Sequence, residues 1–267
     1  MLVKNKVIVV TGAGSGMGRE LAILLLKKGA RVAAADLNGA ALNETRKLAN
    51  DHTERLSCHA LNLTDKSAVF SFPDEVIASH GVVDGLINNA GIIQPFVDVK
   101  DLSDEQIDKV MQVNFTGTLN MTRAFLPYLL KRPEAHIANV SSMGGFIPFP
   151  GQTIYGASKA AVKLFTEGLY AELRDTNVRV TVIHPGAVNT NISKNSGVEI
   201  KGMEEQAASH KTLPANQAAE IMVRAIEKNK FRVMVGSDAR FLDLFYRSFP
   251  ERAVRFIVKQ MGSLKNK

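Results

Sequence analysis

Short apolar runs alternate with longer amphipathic stretches along most of this chain. Residues 6–10, 31–35, 56–61, 85–87, 136–140, 178–183 and 232–235 are rich in Val, Ile and Ala and bounded by turn residues, which predicts strands. Several are apolar throughout rather than at alternate positions, so both of their faces are expected to be covered. Apolar residues recur at helical spacing over 19–28, 42–50, 66–79, 104–130, 157–176 and 215–229. Strand and helix taking turns predict βαβ units and a Rossmann-type doubly wound parallel sheet with helices on both faces. The expected organisation is a single α/β catalytic domain over 1–235, followed by a tail over 236–267. Residues 189–211 form an irregular stretch too long for an ordinary connection, and such stretches commonly border a ligand.

Composition narrows the class. With 267 residues, 45% hydrophobic and 22% charged, the chain matches an ordinary globular protein. No run approaches the ~18 apolar residues that cross a bilayer. One cysteine, Cys58, excludes an intrachain disulfide and reads as a small apolar filler suited to a reducing compartment. Lys4 and Lys6 lead directly into the first strand, so no signal peptide and a cytoplasmic location are expected. The net charge of +7 resides after residue 223, where eleven basic residues face four acidic ones. No nucleic-acid recognition motif accompanies it, so no nucleic-acid partner is expected. His52, His59, His80, His136, His184 and His210 show no ligand spacing, and no metal is expected. His184, just before Pro185, reads as structural.

Candidate chemistry starts at the first strand's end, with Thr11-Gly12-Ala13-Gly14-Ser15-Gly16-Met17-Gly18. Glycines between a strand and a helix let backbone N–H groups approach a pyrophosphate at the helix N-terminus. The spacing is T-G-x-x-x-G-x-G rather than G-x-G-x-x-G. Asp36 closes the second strand, where a carboxylate can accept the ribose hydroxyls and repel a 2′-phosphate. Neither Ser15, Leu37 nor Asn38 supplies a compensating cation, which predicts NAD over NADP.

Asn88-Asn89-Ala90-Gly91 and Tyr155-Gly156-Ala157-Ser158-Lys159 then give the chain its resemblance. From about Lys6 to Thr190 it resembles a classical short-chain dehydrogenase/reductase. The resemblance implies Asn114, Ser142, Tyr155 and Lys159 as the catalytic set. Ser142 is preferred over Ser141 because it stands thirteen residues before Tyr155. It also implies a cofactor site made of Gly12, Ser15, Gly16, Met17, Gly18, Asp36, Leu37, Asn62, Leu63, Asn89, Ala90, Gly91, Tyr155, Lys159, Pro185, Gly186, Val188 and Thr190. Asn62 departs from the Asp common there. A hydride moves between nicotinamide and a carbinol carbon while a proton moves at the oxygen, so a positioned acid/base is required. Tyr155 would serve, with the Lys159 ammonium favouring its phenolate. Ser142 would stabilise the substrate oxygen, and Asn114 would anchor a water leading to Lys159.

The segments following Gly91 and Ser142 are apolar and hold no Lys or Arg, which favours a hydrophobic alcohol or ketone such as a steroid, retinoid or fatty-chain carbonyl. In the tail, Val254, Ile257, Val258 and Met261 repeat at helical spacing beside Arg252, Arg255 and Lys259. This basic amphipathic helix has three destinations: the domain itself, a subunit of a dimer or tetramer, or weak peripheral contact with an anionic membrane. Two other functions compete with catalysis, namely an NAD-binding regulator without turnover and a membrane-recruited scaffold.

Overall fold

A computed structural model describes residues 1–198 and 212–265, without the side chains of the last four. Seven parallel strands form the central sheet: β1 Val7–Thr11, β2 Arg31–Asp36, β3 Leu56–Ala60, β4 Gly85–Asn88, β5 Ala135–Val140, β6 Val178–Pro185 and β9 Arg232–Val235. Their order is β3-β2-β1-β4-β5-β6-β9, so the chain reverses direction of travel across the sheet between β1 and β4. Val10 of β1 lies opposite Ala34 on one side and Ile87 on the other.

Residues of one strand feed two cores in turn, the period-2 rule of an extended chain. Ile8 and Val10 join Leu21 and Leu25 of α1 (Gly16–Lys27), Leu42 of α2 (Gly39–Leu48) and Met222 of α8 (Ala215–Glu227). Val7 and Val9 join Phe72 of α3 (Lys66–His80), Phe125 of α5 (Gly117–Leu129) and Leu169 of α6 (Thr153–Glu172). The inner apolar runs are thus buried on both faces, whereas the edge strands β3 and β9 are mostly half-buried.

Three local differences from the pattern bear on the site. Helices α1 and α6 begin three and four residues before the expected 19 and 157, because their first turns carry site residues instead of a core stripe. The expected helix over 104–130 is broken into α4 (Asp104–Met111), a π-turn over Gln112–Thr116, and α5. A π-turn inserts one extra residue into a helix and re-aims its neighbours. Here it carries Asn114. At the two ends of the irregular stretch β7 (Val188–Asn189) pairs with β8 (Leu213–Pro214), and inside it a short α7 covers Ile192–Asn195. The rest of that stretch, 199–211, lies outside the described residues, as does His210.

The tail forms α9 (Ser237–Ser248) and α10 (Pro250–Lys265). Leu242, Ala253 and Ile257 bury against Ile147, with Met143, Phe146, Phe149 and Met261 around them. The inward stripe of α10 is narrower than its apolar count suggests, and Val258 points to solvent with Phe241, Leu244, Phe249 and Phe256. Arg255 pairs with Glu251, and Arg252 sits over the Phe249 ring. No helix among the described residues is long and apolar enough to cross a membrane.

Candidate active site

The glycine loop wraps the end of β1. Gly12 and Gly16 sit at φ +68° and +51°, where a side chain is strained. A Cβ at Gly18 would lie 2.0 Å from the Gly12 carbonyl oxygen, so helix α1 can approach the loop only without one. Thr11 Oγ1 accepts the N–H groups of both Asn89 and Ala90 at 3.0 Å, which stitches β1 to the loop after β4. The seam is the place where the strand order reverses, the usual ligand crevice of an open parallel sheet.

A cleft of about 400 Å³ opens there. Of the residues named from the sequence, Gly12, Ser15, Gly16, Met17, Asp36, Leu37, Asn62, Leu63, Asn89, Ala90, Gly91 and Thr190 line it. Both Asp36 carboxylate oxygens accept backbone N–H groups, one from Gly14 at 2.8 Å and one from Asn38 at 2.9 Å. The carboxylate is therefore held on the wall, and each oxygen keeps a lone pair. Asn62 turns its side-chain oxygen back onto Thr64. Gly18, Tyr155, Lys159, Pro185, Gly186 and Val188 do not line the cleft. Gly18 backs the loop, Gly186 bonds to Val235 and packs on Asp238, and Val188 pairs with Leu213. Lys109 and Asn195 line it without having been expected. Asn195 bonds Ser15 Oγ at 2.7 Å, a through-space tie that no local spacing reveals.

The catalytic candidates lie beside this cleft, with Lys159 and Asn114 next to Gly91 of its wall. Lys159, 3% exposed, donates to the Val140 carbonyl at 3.0 Å, with its Nζ 6.0 Å from the Tyr155 ring centre. A Cβ on Gly91 would stand 3.0 Å from that Nζ. Ser141 and Ser142 separate cleanly: Ser141 Oγ is buried and donates to the Lys159 carbonyl, whereas Ser142 faces Tyr155. Asn114, fully buried, donates to Ile92 O and Ser158 Oγ and accepts from Ile92 N–H. Both bonds from its Nδ2 and one acceptor site of its Oδ1 are thereby used.

Burial pushes the Tyr155 phenol above its ordinary value, and a hydrogen bond with Ser142 pulls less strongly the other way. Desolvation, which penalises the charged phenolate, is the larger of the two effects. Burial also lowers Lys159 to about 8. His184 is structural in its contacts, with Nδ1 3.1 Å from the Ser142 carbonyl and its ring edge-on to Phe146.

A residue outside the expected set anchors this end. Helix α6 has no cap from its own N-terminal segment. Gln94, 1% exposed, caps it from the loop after β4 instead, its Oε1 accepting from Ile154 N–H at 2.8 Å and Tyr155 N–H at 2.9 Å. Its Nε2 donates to the Gly151 carbonyl, and its own carbonyl accepts from Gln152 Nε2. The pairing of distant loops leaves no signature in sequence spacing.

Beside Tyr155 lies a second pocket of about 210 Å³, lined by Ile93, Phe96, Ser142, Met143, Gly144, Phe149, Gln152, Tyr155, Ile192, Ser193 and Met261. Ile192 lines both cavities, so they adjoin. Fewer than three acidic, Cys or His side chains come together anywhere among the described residues in a way that would hold a metal.

A parallel sheet with a glycine cradle at its reversal point and a Ser-Tyr-Lys group beside it defines a dinucleotide-dependent oxidoreductase class. The chain belongs to the short chain dehydrogenase family, whose match covers residues 6–200. The Mycobacterium tuberculosis protein SadH is 36% identical over 253 residues, 91% of each chain. Dehydrogenase/reductase SDR family member 7B of Rattus norvegicus is 34% identical over 261 residues, 93% of this chain and 79% of that one. A solved short chain dehydrogenase/reductase from Burkholderia phymatum in complex with NAD superposes with a TM-score of 0.83 at 26% identity, covering 92% of this chain and 96% of its own. A second, from Burkholderia cenocepacia J2315 in complex with NADP, gives 0.79 at 28% identity over 97% and 99%.

Proposed function

We propose that this oxidoreductase transfers a hydride between NAD and a hydrophobic secondary alcohol or its ketone, with Tyr155 as the acid/base. The observation that carries this reading is the position of Tyr155 and Ser142 on the wall of an apolar pocket that adjoins the glycine-lined cleft. The cradle suits a dinucleotide because any Cβ at Gly14 would collide with Asp36 and Ala41. Gly12, Ser15, Gly16 and Met17 would hold the pyrophosphate, Asp36 the adenosine ribose, and Asn89, Ala90, Gly91 and Thr190 the remainder. The nicotinamide supplies or receives the hydride. NAD is favoured over NADP because Asp36 stands fixed on the wall, where a 2′-phosphate would meet its charge.

The chain's own residues manage the oxygen and its proton. With its pKa raised, Tyr155 keeps its proton at neutral pH, the state from which a ketone oxygen is protonated during reduction. Ser142 donates to the same oxygen as negative charge develops. Lys159, charged below about pH 8, offsets the loss of that proton. Asn114 holds the Ile92 backbone and Ser158, fixing the loop and helix between which the reacting groups sit. The C-terminal helices belong to the catalytic unit on this reading, since they bury against the segment following Ser142.

Tyr155→Phe tests the assignment. The variant should lose on the order of 10²–10⁴ in kcat, while NADH affinity by fluorescence titration stays within about twofold, since the glycine loop carries most cofactor contacts. Substantial turnover by the variant would remove Tyr155 from its role.

A further inference from the structure

Helix α10 brings Met261, 106 residues beyond Tyr155, to the reacting end of the molecule. Ala253 and Ile257 are buried, and Met261 continues their stripe at intervals of four residues, one face of a helix. Ile147 anchors the stripe from the other side, only five residues after Ser142. The stripe therefore runs along the catalytic segment and ends with Met261 at the pocket that Ser142 and Tyr155 share.

We propose that α10 is the specificity wall of the substrate pocket and that Met261 sets its depth. The inference rests on the hydride-transfer reading and narrows it. A dry cavity of about 150 Å³ accepts benzene, so the cavity of about 210 Å³ formed by the described residues suits one ring or a short chain next to the carbonyl. Phe96, Phe149, Ile93 and Ile192 are apolar and leave Gln152 and Ser193 as the polar side groups besides the reacting pair. The Gln152 amide N–H already bonds to Gln94. A fused-ring substrate such as a steroid must displace Met261, whereas a compact cyclic or short-chain ketone enters with Met261 in place. Methionine suits a wall of this kind because its unbranched thioether adapts to an irregular apolar surface.

The test uses the full chain and three proteins: wild type, Met261→Ala and Met261→Phe. Each is assayed with NADH against a compact ketone (cyclohexanone) and a two-ring ketone (2-decalone), and NADH affinity is measured separately. Met261→Ala should raise the ratio of kcat/KM for decalone over cyclohexanone at least fivefold, Met261→Phe should lower it, and NADH affinity should stay within twofold in both. Ratios equal in all three proteins overturn the wall and leave hydride transfer standing. Absence of turnover with every alcohol and ketone tried would sink the hydride-transfer reading instead. In that case methyl-labelled methionine NMR decides the wall separately, with the Met261 signal identified by its loss in Met261→Ala. A shift of that signal on adding cyclohexanone supports the wall, and an unmoved signal overturns it.

Discussion

The two sides of the cleft differ in what they are made of. The cradle side is backbone and glycine, with Gly12, Gly14 and Gly18 packed so closely that a single added carbon meets Ala90, Asp36 or the chain itself. The pocket side is side chain, drawn from Ile93, Ser142, Phe149, Ile192 and Met261 across most of the sequence. Backbone surfaces recognise what all ligands of a class share, because they cannot be changed by substitution without moving the chain. Side-chain surfaces can be exchanged one at a time, and volume changes of a few methylenes are tolerated when neighbours adjust. On the proposed function, shared chemistry falls to one wall and selectivity to the other.

The sharpest way to break this comparison is Gly18→Ala. With backbone 2.0 Å from the new carbon, the loop must shift, and NADH binding by fluorescence titration should fall below detection with a lowered melting temperature. Phe149→Leu on the pocket side should instead leave NADH affinity within about twofold and alter only the ketone KM. Comparable losses of NADH binding in both would erase the distinction between the walls.

A smaller effect is expected at Asp36, a charged side chain held on the cradle side by two backbone N–H groups. Asp36→Ala removes ribose acceptors worth ~1.5–3 kcal/mol each along with the repulsion of a 2′-phosphate. The ratio of kcat/KM for NADH over NADPH should drop about tenfold or more. A wild type that prefers NADPH would overturn the cofactor assignment outright.

The parts legible in the sequence were those with a local period or a fixed spacing. Fully apolar runs marked the strands because parallel strands are covered on both faces, and β1 is buried at all five positions. The glycine cradle was legible because steric need is written into single positions. The break at Gln112–Thr116 was not, since it follows from Asn114 reaching both Ile92 and Ser158, contacts 22 and 44 residues away. Gln94 and Met261 escaped for the same reason: each acts on a helix or pocket assembled only in three dimensions. The direction of the Tyr155 shift also depended on burial, which the four-residue spacing to Lys159 does not encode.

The smallest effect sharpens the comparison from beneath the pocket side. Burial lowers His184 to about 4, with Arg232 and Lys163 adding to the shift. The native ring therefore binds fewer protons than the unfolded one between about pH 6.5 and 4, so stability is present above that window and lost as pH falls through it. From pH 6 to 5 the loss should be about 1 kcal/mol from this group. Urea unfolding at both pH values should show His184→Gln less acid-sensitive by that amount; an equal slope would mean the ring titrates normally in the fold.

The reversal of strand order between β1 and β4 carries a consequence for how the molecule assembles. Val10 pairs with Ile87, 77 residues away, and all seven main strands are joined by parallel pairings that need long crossovers. Chains dominated by such distant contacts fold slowly, because loop closure must precede the reward. The cleft exists only once both halves of the sheet have met at that seam. A dinucleotide bound across it would stabilise the closed seam alone, by about 2.7 kcal/mol at a hundredfold excess over Kd. Folding intermediates and nicked chains would receive none of that protection, so the bound nucleotide would act as a selective shield of the finished enzyme against proteolysis.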